Sequence, residues 1–296
     1  MRRKVFPLAS VALAAAASAL LFFGAPSASS QQQTKTDAAA TAPKSSAPAD
    51  KPATAPPAAN DAKAEQIVES AVAAVGGQAF LGVRTILARG YYAVFKDGVS
   101  LPPSRFTDYL AFPDRNRTEF KGGGVRHVNT FAGNEGWFFL GDHQKIVEAK
   151  PEQVKDFQIT VRTSYDNVLR GWWRKEGARL SYVGRREAGL AKRNEVVRLS
   201  YPDGFSAEFE FGAKDSLPYK VRYKRQNAEG EEFEEEDRFA QHLTVEGVTL
   251  PFIIDHFRAG TQTARINYEK YEFNQPFADT LFARPADVKA FLKTLK

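Results

Sequence analysis

The sequence predicts a mainly β protein with a few helices (α+β), folded as an incomplete, strongly curved antiparallel β-barrel of about eleven strands. Two observations favour this fold class. Long runs within 85–140 and 178–273 alternate apolar and polar residues with a period of two, and short turns rich in Gly, Pro or Asn separate them. Two other segments, 61–75 and 151–175, show the helical period instead. An N-terminal helix and a central helical insert are therefore expected to cover the sheet.

Residues 1–30 have the layout of a secretory signal peptide. Two arginines and one lysine at 2–4 form a positive n-region, an Ala-rich apolar run continues to Phe23, and small residues close the segment at 27–30. We predict cleavage near Ser30 and a location in the periplasm of a Gram-negative-type bacterium. The alternative is an uncleaved N-terminal membrane anchor, because the apolar run is almost long enough to span a bilayer.

Residues 31–62 are predicted to form a disordered tether, because Ala, Pro, Ser, Thr and Lys cannot bury enough apolar surface to offset the ordering of the backbone. Residues 63–296 remain as a single folded domain. The chain has no cysteine, which excludes disulfides, thiolate metal sites and a thioether lipid anchor. Half of the formal charge of +6 lies in the n-region and the rest is interspersed with acids, so no nucleic-acid partner is expected.

The first helix of the folded domain is bounded by Asp61, its predicted N-cap, and by the pair Gly76–Gly77, which ends it. The period then changes to two. The first predicted strand spans 85–96, and Gly90 indicates a bulge or a bend within it. Because the turns that follow are short, the next strands form a meander. They are predicted at 104–112, 116–121, 125–132 and 136–140.

The central insert begins at Pro151, a residue that suits the first position of a helix. Thr163 or Ser164 is expected to start its second helical stretch. A second meander follows the insert, and a loop with a short terminal helix closes the chain. The strands of this meander are predicted at 178–188, 194–202, 205–212, 219–226, 231–245, 248–259 and 263–273.

The sequence predicts no catalytic centre, no metal site and no cofactor. Its four histidines (His127, His143, His242 and His256) lie on different strands and form neither a metal-ligand nor a triad pattern. Glu232, Glu234 and Glu236 alternate along one strand, which is typical of a solvated face or a protected edge. No GxSxG, HExxH or Gly-rich phosphate loop is present. We therefore expect a non-enzymatic protein; a hydrolase that uses these carboxylates or histidines is the least supported hypothesis.

The segment from Trp137 to Leu140 is apolar on both faces of its strand. A helix can cover one of these faces. The other face then belongs to the interior of the curved sheet, which is too wide for side chains to fill completely when the strands are so many. A large apolar interior beneath a helix is a pocket of lipid size. The alternative is a fully packed core.

The order of these elements resembles that of the lipoprotein-carrier superfamily, which includes LolA and LolB-like proteins. The likeness covers residues 63–286 and includes "FPDRNRTEF", "GNEGWFF" and, near the end, "PFADTLFARP". In that family an incomplete barrel curls around an apolar cavity, closed by helices, that receives the acyl chains of lipoproteins or related amphiphiles.

The resemblance implies roles for individual residues. The helices at 61–75 and 151–175 would be the lid, and Arg115 and Arg117 of the "PDRNR" segment would meet a head group or latch that lid; the alternative is that both are exposed strand arginines. The lid side chains would be Ile67, Val72, Leu169 and Trp172. The cavity lining would be Tyr109, Phe120, Phe131, Trp137 and Phe139.

The leading hypothesis is therefore an exported, non-enzymatic envelope protein that binds an acyl chain or a similar apolar ligand. It would act as a monomeric carrier of lipid or lipoprotein in outer-membrane biogenesis. The second hypothesis is a periplasmic sensor or scaffold of the same fold, with a filled core, that engages another envelope protein through an exposed strand edge.

Overall fold

The computed structural model describes residues 60–227 and 229–295, together with the backbone of two dipeptides near the N-terminus. These dipeptides, β1 (Val11–Ala12) and β2 (Ala19–Leu20), pair in antiparallel fashion. The remainder of the predicted signal peptide, its cleavage position and the predicted tether up to residue 59 lie outside the described residues.

The folded part has the predicted alternation of helices and meanders. Two helices lead into the first run of strands: α1 (Ala62–Ala74), α2 (Gln78–Leu81), β3 (Thr85–Lys96), β4 (Val99–Ser100), β5 (Ser104–Ala111), β6 (Arg115–Gly122), β7 (Val125–Ala132), β8 (Glu135–Leu140) and β9 (Lys145–Glu148). The insert consists of α3 (Pro151–Thr163), α4 (Tyr165–Arg170) and a 3-10 turn at Trp172–Glu176. The remainder comprises β10 (Arg179–Glu187), β11 (Arg193–Ser200), β12 (Ser206–Gly212), β13 (Pro218–Gln226), β14 (Glu232–Val245), β15 (Val248–Arg258), β16 (Thr261–Phe273), a 3-10 turn at Asp279–Leu281 and α5 (Val288–Thr294).

Strands β3 to β16 form one antiparallel sheet in the order β10-β11-β12-β13-β14-β15-β16-β3-β5-β6-β7-β8-β9, with β4 paired to β3. The pairing of β16 with β3 joins the two meanders. The sheet is open, with β10 and β9 at its edges, and the mainly β class is confirmed. The expected number of about eleven strands was too low, since the sheet has 14. The additional strands include β4 and β9, which are too short to show a period of two.

Helix α1 is held at both ends as the sequence predicts. The Asp61 carboxylate accepts a hydrogen bond from the backbone N–H of Lys63 at 2.8 Å, which confirms it as the N-cap. At the other end, Gly76 has a φ of +119°, and a Cβ there would lie 2.2 Å from the carbonyl oxygen of Gly247. The glycine stop is therefore confirmed, and its physical reason is the close approach of the helix end to the β14–β15 turn.

The bulge predicted from Gly90 is confirmed and lies on the partner strand. The register between β16 and β3 shifts by one residue between Tyr268 and Lys270, opposite Gly90. A Cβ at Gly90 would lie 2.1 Å from the carbonyl oxygen of Asn267, so only glycine admits this approach. An extra residue in one strand increases the local twist and bends the sheet.

The insert divides into two helices at Ser164, one of the two residues predicted to start its second helical stretch. The Ser164 hydroxyl accepts a hydrogen bond from the backbone N–H of Asn167 at 3.1 Å and starts α4. Gly171, with a φ of +72°, ends α4, and the chain continues as a 3-10 turn. The second helical stretch, predicted to continue to residue 175, is therefore interrupted at Gly171, because this glycine redirects the chain. As a consequence Trp173, at 1 % exposure, is the tryptophan of the insert in the main core, whereas Trp172 is only half-buried and packs on Phe112.

The main hydrophobic core lies between α1, α4 and one face of the sheet, which we call the inner face. Directly paired residues point to the same face of a sheet, and every second residue along a strand does so as well. Phe106 of β5, Phe120 of β6 and Phe131 of β7 therefore all lie on the inner face. The opposite, outer face is covered over β7 and β8 by α5, through Phe291. Among the described residues, every helix is too short or too polar to cross a membrane.

Candidate functional site

Helix α3 lies across the inner face and is joined to strands that are far apart in the sheet. The Phe157 ring stacks on Phe131 of β7, with 4.7 Å between ring centroids. The adjacent residue, Asp156, forms an ion pair with Arg225 of β13. Neighbouring positions on one helix thus contact both halves of the sheet.

These two contacts require strong curvature of the sheet. Seven strand-to-strand steps separate β13 from β7. In a flat sheet such strands would lie about 34 Å apart, at about 4.8 Å a step. A helix is only about 10–12 Å across, including its side chains. The two halves therefore curl towards each other, and α3 closes the space between them.

Two further interactions fix α3 near the turns of the sheet. Gln158 donates a hydrogen bond through Nε2 to Oδ1 of Asn134, in the β7–β8 turn, at 2.7 Å. Arg162 binds Asp203, in the β11–β12 turn, at 2.6 Å and also contacts Glu176. Both are polar contacts at the surface, where ion pairs contribute little to stability. These polar contacts supplement the apolar packing of α3 through Phe157, Val161 and Ile159.

Phe157 belongs to a small apolar cluster that is separate from the main core. Its other fully buried members are Phe131 of β7 and Phe138 of β8. The half-buried residues packed around them are Leu140, Val147, Ala149 and Val161. Lifting α3 would therefore uncover an apolar surface on β7 and β8, and it would also withdraw Ile159 of α3 from the main core, against which it packs.

Buried polar side chains from β5 and β6 lie on the inner face beside this cluster. The Thr118 hydroxyl donates a hydrogen bond to Oδ1 of Asp108 at 2.6 Å. Burial raises the pKa of Asp108 to about 7, although hydrogen bonds from Thr118 and Tyr268 oppose that shift. Nδ2 of Asn116 has no hydrogen-bond partner among the described residues. The inner face is thus not uniformly apolar.

A second buried polar cluster lies on β14 and β15. Nδ1 of His256 is 2.5 Å from Oδ1 of Asp237, and Arg258 donates two hydrogen bonds to Oε1 of Glu235. Desolvation lowers the pKa of His256, but the attraction of Asp237, with smaller contributions from other carboxylates, outweighs it and leaves the pKa raised. One polar atom each of Glu235, Asp237 and His256 lacks a partner in the described part of the chain.

The sequence pattern did not predict this second cluster. Glu232 and Glu234 are exposed, as their alternation predicts, whereas Glu236 is only 8 % exposed and forms an ion pair with Lys220 on the outer face. The positions between these glutamates carried the signal for the buried cluster. Glu235 and Asp237 occupy the inner parity of the same strand, where an amphipathic strand would carry apolar residues, and both are buried.

The five aromatic residues expected to line a cavity are divided between the two faces of the sheet. Phe120 and Phe131 lie on the inner face. Trp137 and Phe139 lie on the outer face, where the ring of Phe291 is 5.4 Å and 5.3 Å from theirs. The fifth residue, Tyr109, shares the outer face because it is paired directly with Arg117 and packs on Phe277.

The apolar strand from Trp137 to Leu140 therefore has a helix on each side. Helix α3 covers Phe138, and α5 covers Trp137 and Phe139. The terminal helix was expected from the sequence, but its position was not. Four consecutive apolar residues indicate that both faces of the strand are covered, but they do not indicate which elements cover them.

Arg115 and Arg117 hold the C-terminal segment against the outer face. Arg117 is 4 % exposed and donates a hydrogen bond to the carbonyl oxygen of Leu281 at 3.0 Å. Arg115 forms an ion pair with Asp279 at 2.6 Å. Both arginines thus act on the residues that precede α5, on the face opposite α1 and α3.

The four residues expected on a lid all belong to the helical layer. Leu169 of α4 is buried in the main core, and Ile67 and Val72 of α1 are half-buried against it. Trp172 follows α4 and lies at the surface of this layer. None of the four belongs to α3, the helix that joins the two halves of the sheet.

We expect Phe139→Asp to destabilise the protein by at least about 3–5 kcal/mol, because it removes a fully buried ring and buries a carboxylate beneath α5. Urea unfolding of the variant measures this loss. Leu190→Asp is the matched control: Leu190 is 99 % exposed, and its free energy of unfolding should change by no more than about 0.5 kcal/mol. Equal effects in the two variants would contradict the burial of Phe139 beneath α5.

Solved structures share this fold at low sequence identity. A LolA superfamily protein from Nitrosomonas europaea superposes with a TM-score of 0.51 and 12 % identity, over 74 % of this chain and 97 % of that one. A DUF1329 family protein from Desulfovibrio piger gives 0.53 and 10 %, over 74 % and 97 %. A putative outer membrane lipoprotein-sorting protein domain from Vibrio parahaemolyticus gives 0.50 and 12 %, over 78 % and 99 %.

No protein-family model matches the chain, and no curated protein is significantly similar to it in sequence. The structural likeness confirms the predicted resemblance to the lipoprotein-carrier superfamily at the level of the fold. At these identities the likeness concerns the backbone architecture, so the function must be argued from the residues of this chain.

Proposed function

We propose that this protein is a non-enzymatic carrier of the bacterial envelope that holds an acyl chain, of a lipid or a lipoprotein, between α3 and the inner face of the sheet. The observation that carries the proposal is the position of α3. Adjacent residues of this helix, Asp156 and Phe157, join strands from the two halves of the sheet. Such a helix is a lid, and its displacement opens the curved sheet from the inner side.

The surface beneath this lid suits an apolar chain. In the closed state Phe157 occupies the apolar cluster with Phe131 and Phe138. An acyl chain that replaces Phe157 there gains about 0.8 kcal/mol for each buried CH₂ group. A chain of ordinary length can therefore offset the contacts that α3 gives up, including those of Phe157 and Ile159. No catalytic group is needed for such binding.

A cross-link that fixes α3 tests the proposal. The chain contains no cysteine, so Gln158→Cys and Asn134→Cys create a unique pair across the lid, where the native side chains hydrogen-bond. A cleavable bifunctional thiol reagent should abolish binding of a fluorescent fatty acid, and cleavage of the reagent should restore it. Native mass spectrometry of the unlinked protein from cells should show a co-purified lipid.

The matched control is the pair Lys224→Cys and Glu232→Cys, which bridges β13 and β14 at an exposed ion pair without touching α3. Its cross-link should leave fatty-acid binding unchanged. Undiminished binding with α3 locked would exclude α3 as the lid. Absence of any bound lipid and of any fatty-acid binding by the unlinked protein would exclude the carrier function itself.

A further inference from the structure

The ion pair that joins α3 to β13 is mostly buried. The side chains of Asp156 and Arg225 are only 23 % and 15 % exposed. Burial raises the pKa of Asp156, while the charges of Arg225 and Arg258 oppose that shift and favour the ionised carboxylate. Two guanidinium groups of the sheet therefore act on one carboxylate, and the lid supplies that carboxylate.

Both arginines lie on the inner face of the sheet, beneath the lid. Arg225 of β13 pairs directly with Phe233 of β14. Two residues further along β14, Glu235 pairs directly with Arg258 of β15. Directly paired positions, and positions two apart in one strand, point to the same face. The guanidinium of Arg258 also lies 4.8 Å from the centroid of the Phe233 ring, so the two arginines flank one side chain.

The two arginines differ in how their carboxylates are held. Arg258 donates hydrogen bonds of 3.0 Å and 2.7 Å to Oε1 of Glu235, which is fully buried within the sheet. The carboxylate on Arg225 belongs to Asp156 of α3, so it departs when the lid lifts. Separating a mostly buried charge from its partner is costly. An anionic group on the ligand would offset that cost, whereas a neutral ligand would not.

Asp156 and Phe157 together have the chemical character of a bound amphiphile. The acidic group of Asp156 meets Arg225, and the ring of the next residue fills the apolar cluster with Phe131 and Phe138. We propose that the ligand is an anionic amphiphile, whose carboxylate or phosphate replaces the Asp156 carboxylate at Arg225 while its chain replaces Phe157. A guanidinium binds either acid through two parallel hydrogen bonds. The inference rests on the proposed carriage of an acyl chain and specifies the charge of the ligand.

Calorimetric titration of the delipidated protein tests the charge of the ligand separately from its chain. At about pH 8, where the acid is ionised, dodecanoate and dodecyl phosphate should each bind at least about ten-fold more tightly than dodecan-1-ol. The three ligands have the same chain, so the ratio of their affinities measures the contribution of the acidic group. Butanoate, which has the charge without the long chain, should not bind measurably.

Two single variants break the same ion pair and separate its two roles. Arg225→Gln removes the group that would bind the acid of the ligand, whereas Asp156→Asn removes the carboxylate of the lid and keeps Arg225. A looser lid favours every ligand equally and leaves the ratio of affinities unchanged. Arg225→Gln should therefore reduce the preference for dodecanoate over dodecan-1-ol about ten-fold, and Asp156→Asn should retain it.

The double variant Arg225→Gln with Asp156→Asn leaves no lid carboxylate opposite a missing guanidinium, and it should lose the preference as Arg225→Gln does. Equal binding of acid and alcohol by the wild type would overturn the anionic head group and leave the carriage of acyl chains intact. So would an equal loss of preference in Asp156→Asn and Arg225→Gln. Butanoate that binds as tightly as dodecanoate would indicate a site for a small free anion. If no long-chain ligand binds, the carrier function fails and the inference fails with it.

Discussion

Asp108→Asn should stabilise the protein by about 4 kcal/mol at about pH 8, and the gain should shrink towards zero below about pH 4. Asp108 is 2 % exposed, and burial raises its pKa to about 7 from the ordinary value of 3.8. Asparagine carries no charge at any of these pH values. It can still accept the hydrogen bond that the Thr118 hydroxyl donates to Oδ1.

The direction of this pH dependence follows from the number of protons bound in the folded and the unfolded state. Between about pH 4 and about pH 7 the unfolded chain has lost the Asp108 proton and the folded protein has kept it, so wild-type stability falls as the pH rises. Above about pH 7 the folded protein also ionises, and the loss levels off. Each unit of pKa difference corresponds to about 1.4 kcal/mol.

Urea unfolding at a series of pH values measures this difference. The exposed residue Glu187 supplies the control, because Glu187→Gln removes a carboxylate from the edge strand β10 without changing a buried site. The control should show no pH-dependent gain. A constant difference between Asp108→Asn and wild type across the whole pH range would mean that Asp108 ionises as an ordinary surface carboxylate.

Features that depend on residues close together in the chain could be predicted from the sequence. The cap at Asp61 and the bulge marked by Gly90 each follow from the backbone geometry that one residue type permits. The alternation of the strands likewise predicted an open, mainly β sheet. Short strands such as β9 were not predicted, because four residues are too few to establish a period of two.

Features that depend on long-range docking were not accessible. The seven residues of α5 carry no information about which face of the sheet they cover, and that position alone decides what buries Trp137 and Phe139. The curl of the sheet around α3 depends on Asp156 and Arg225, which are distant in sequence. The buried acids of β14, Glu235 and Asp237, were not predicted for another reason. They lie within a run of glutamates that reads as a solvent-exposed strand face.

Asp237→Ala should cost about 3–5 kcal/mol at about pH 6, because it removes the partner of a buried histidine. His256 and Asp237 are each 1 % exposed, and their side chains are 2.5 Å apart. With Asp237 present the pKa of His256 is raised. The protonated imidazole therefore stabilises the fold fully below about pH 6.5, and this contribution is lost as the pH rises through the raised pKa.

Without Asp237, desolvation becomes the dominant influence on His256 and lowers its pKa. The variant should then lose stability as the pH falls below about 6.5, the reverse of the wild-type contribution from this group. The difference between the two proteins should thus be largest in acid and should narrow in alkali. Urea unfolding at several pH values measures it, and a difference that widens towards alkaline pH would refute the assignment.

A second variant separates the loss of a charge partner from the loss of packing. Asp237→Leu combined with His256→Leu fills the same space on β14 and β15 with apolar groups, and such replacements of buried ion pairs are often neutral or stabilising. The double variant should recover most of the stability that Asp237→Ala loses, and it should lack the dependence on pH. If it is as unstable as the single variant, the pair holds the inner face through its hydrogen-bond geometry, and the charge of His256 is secondary.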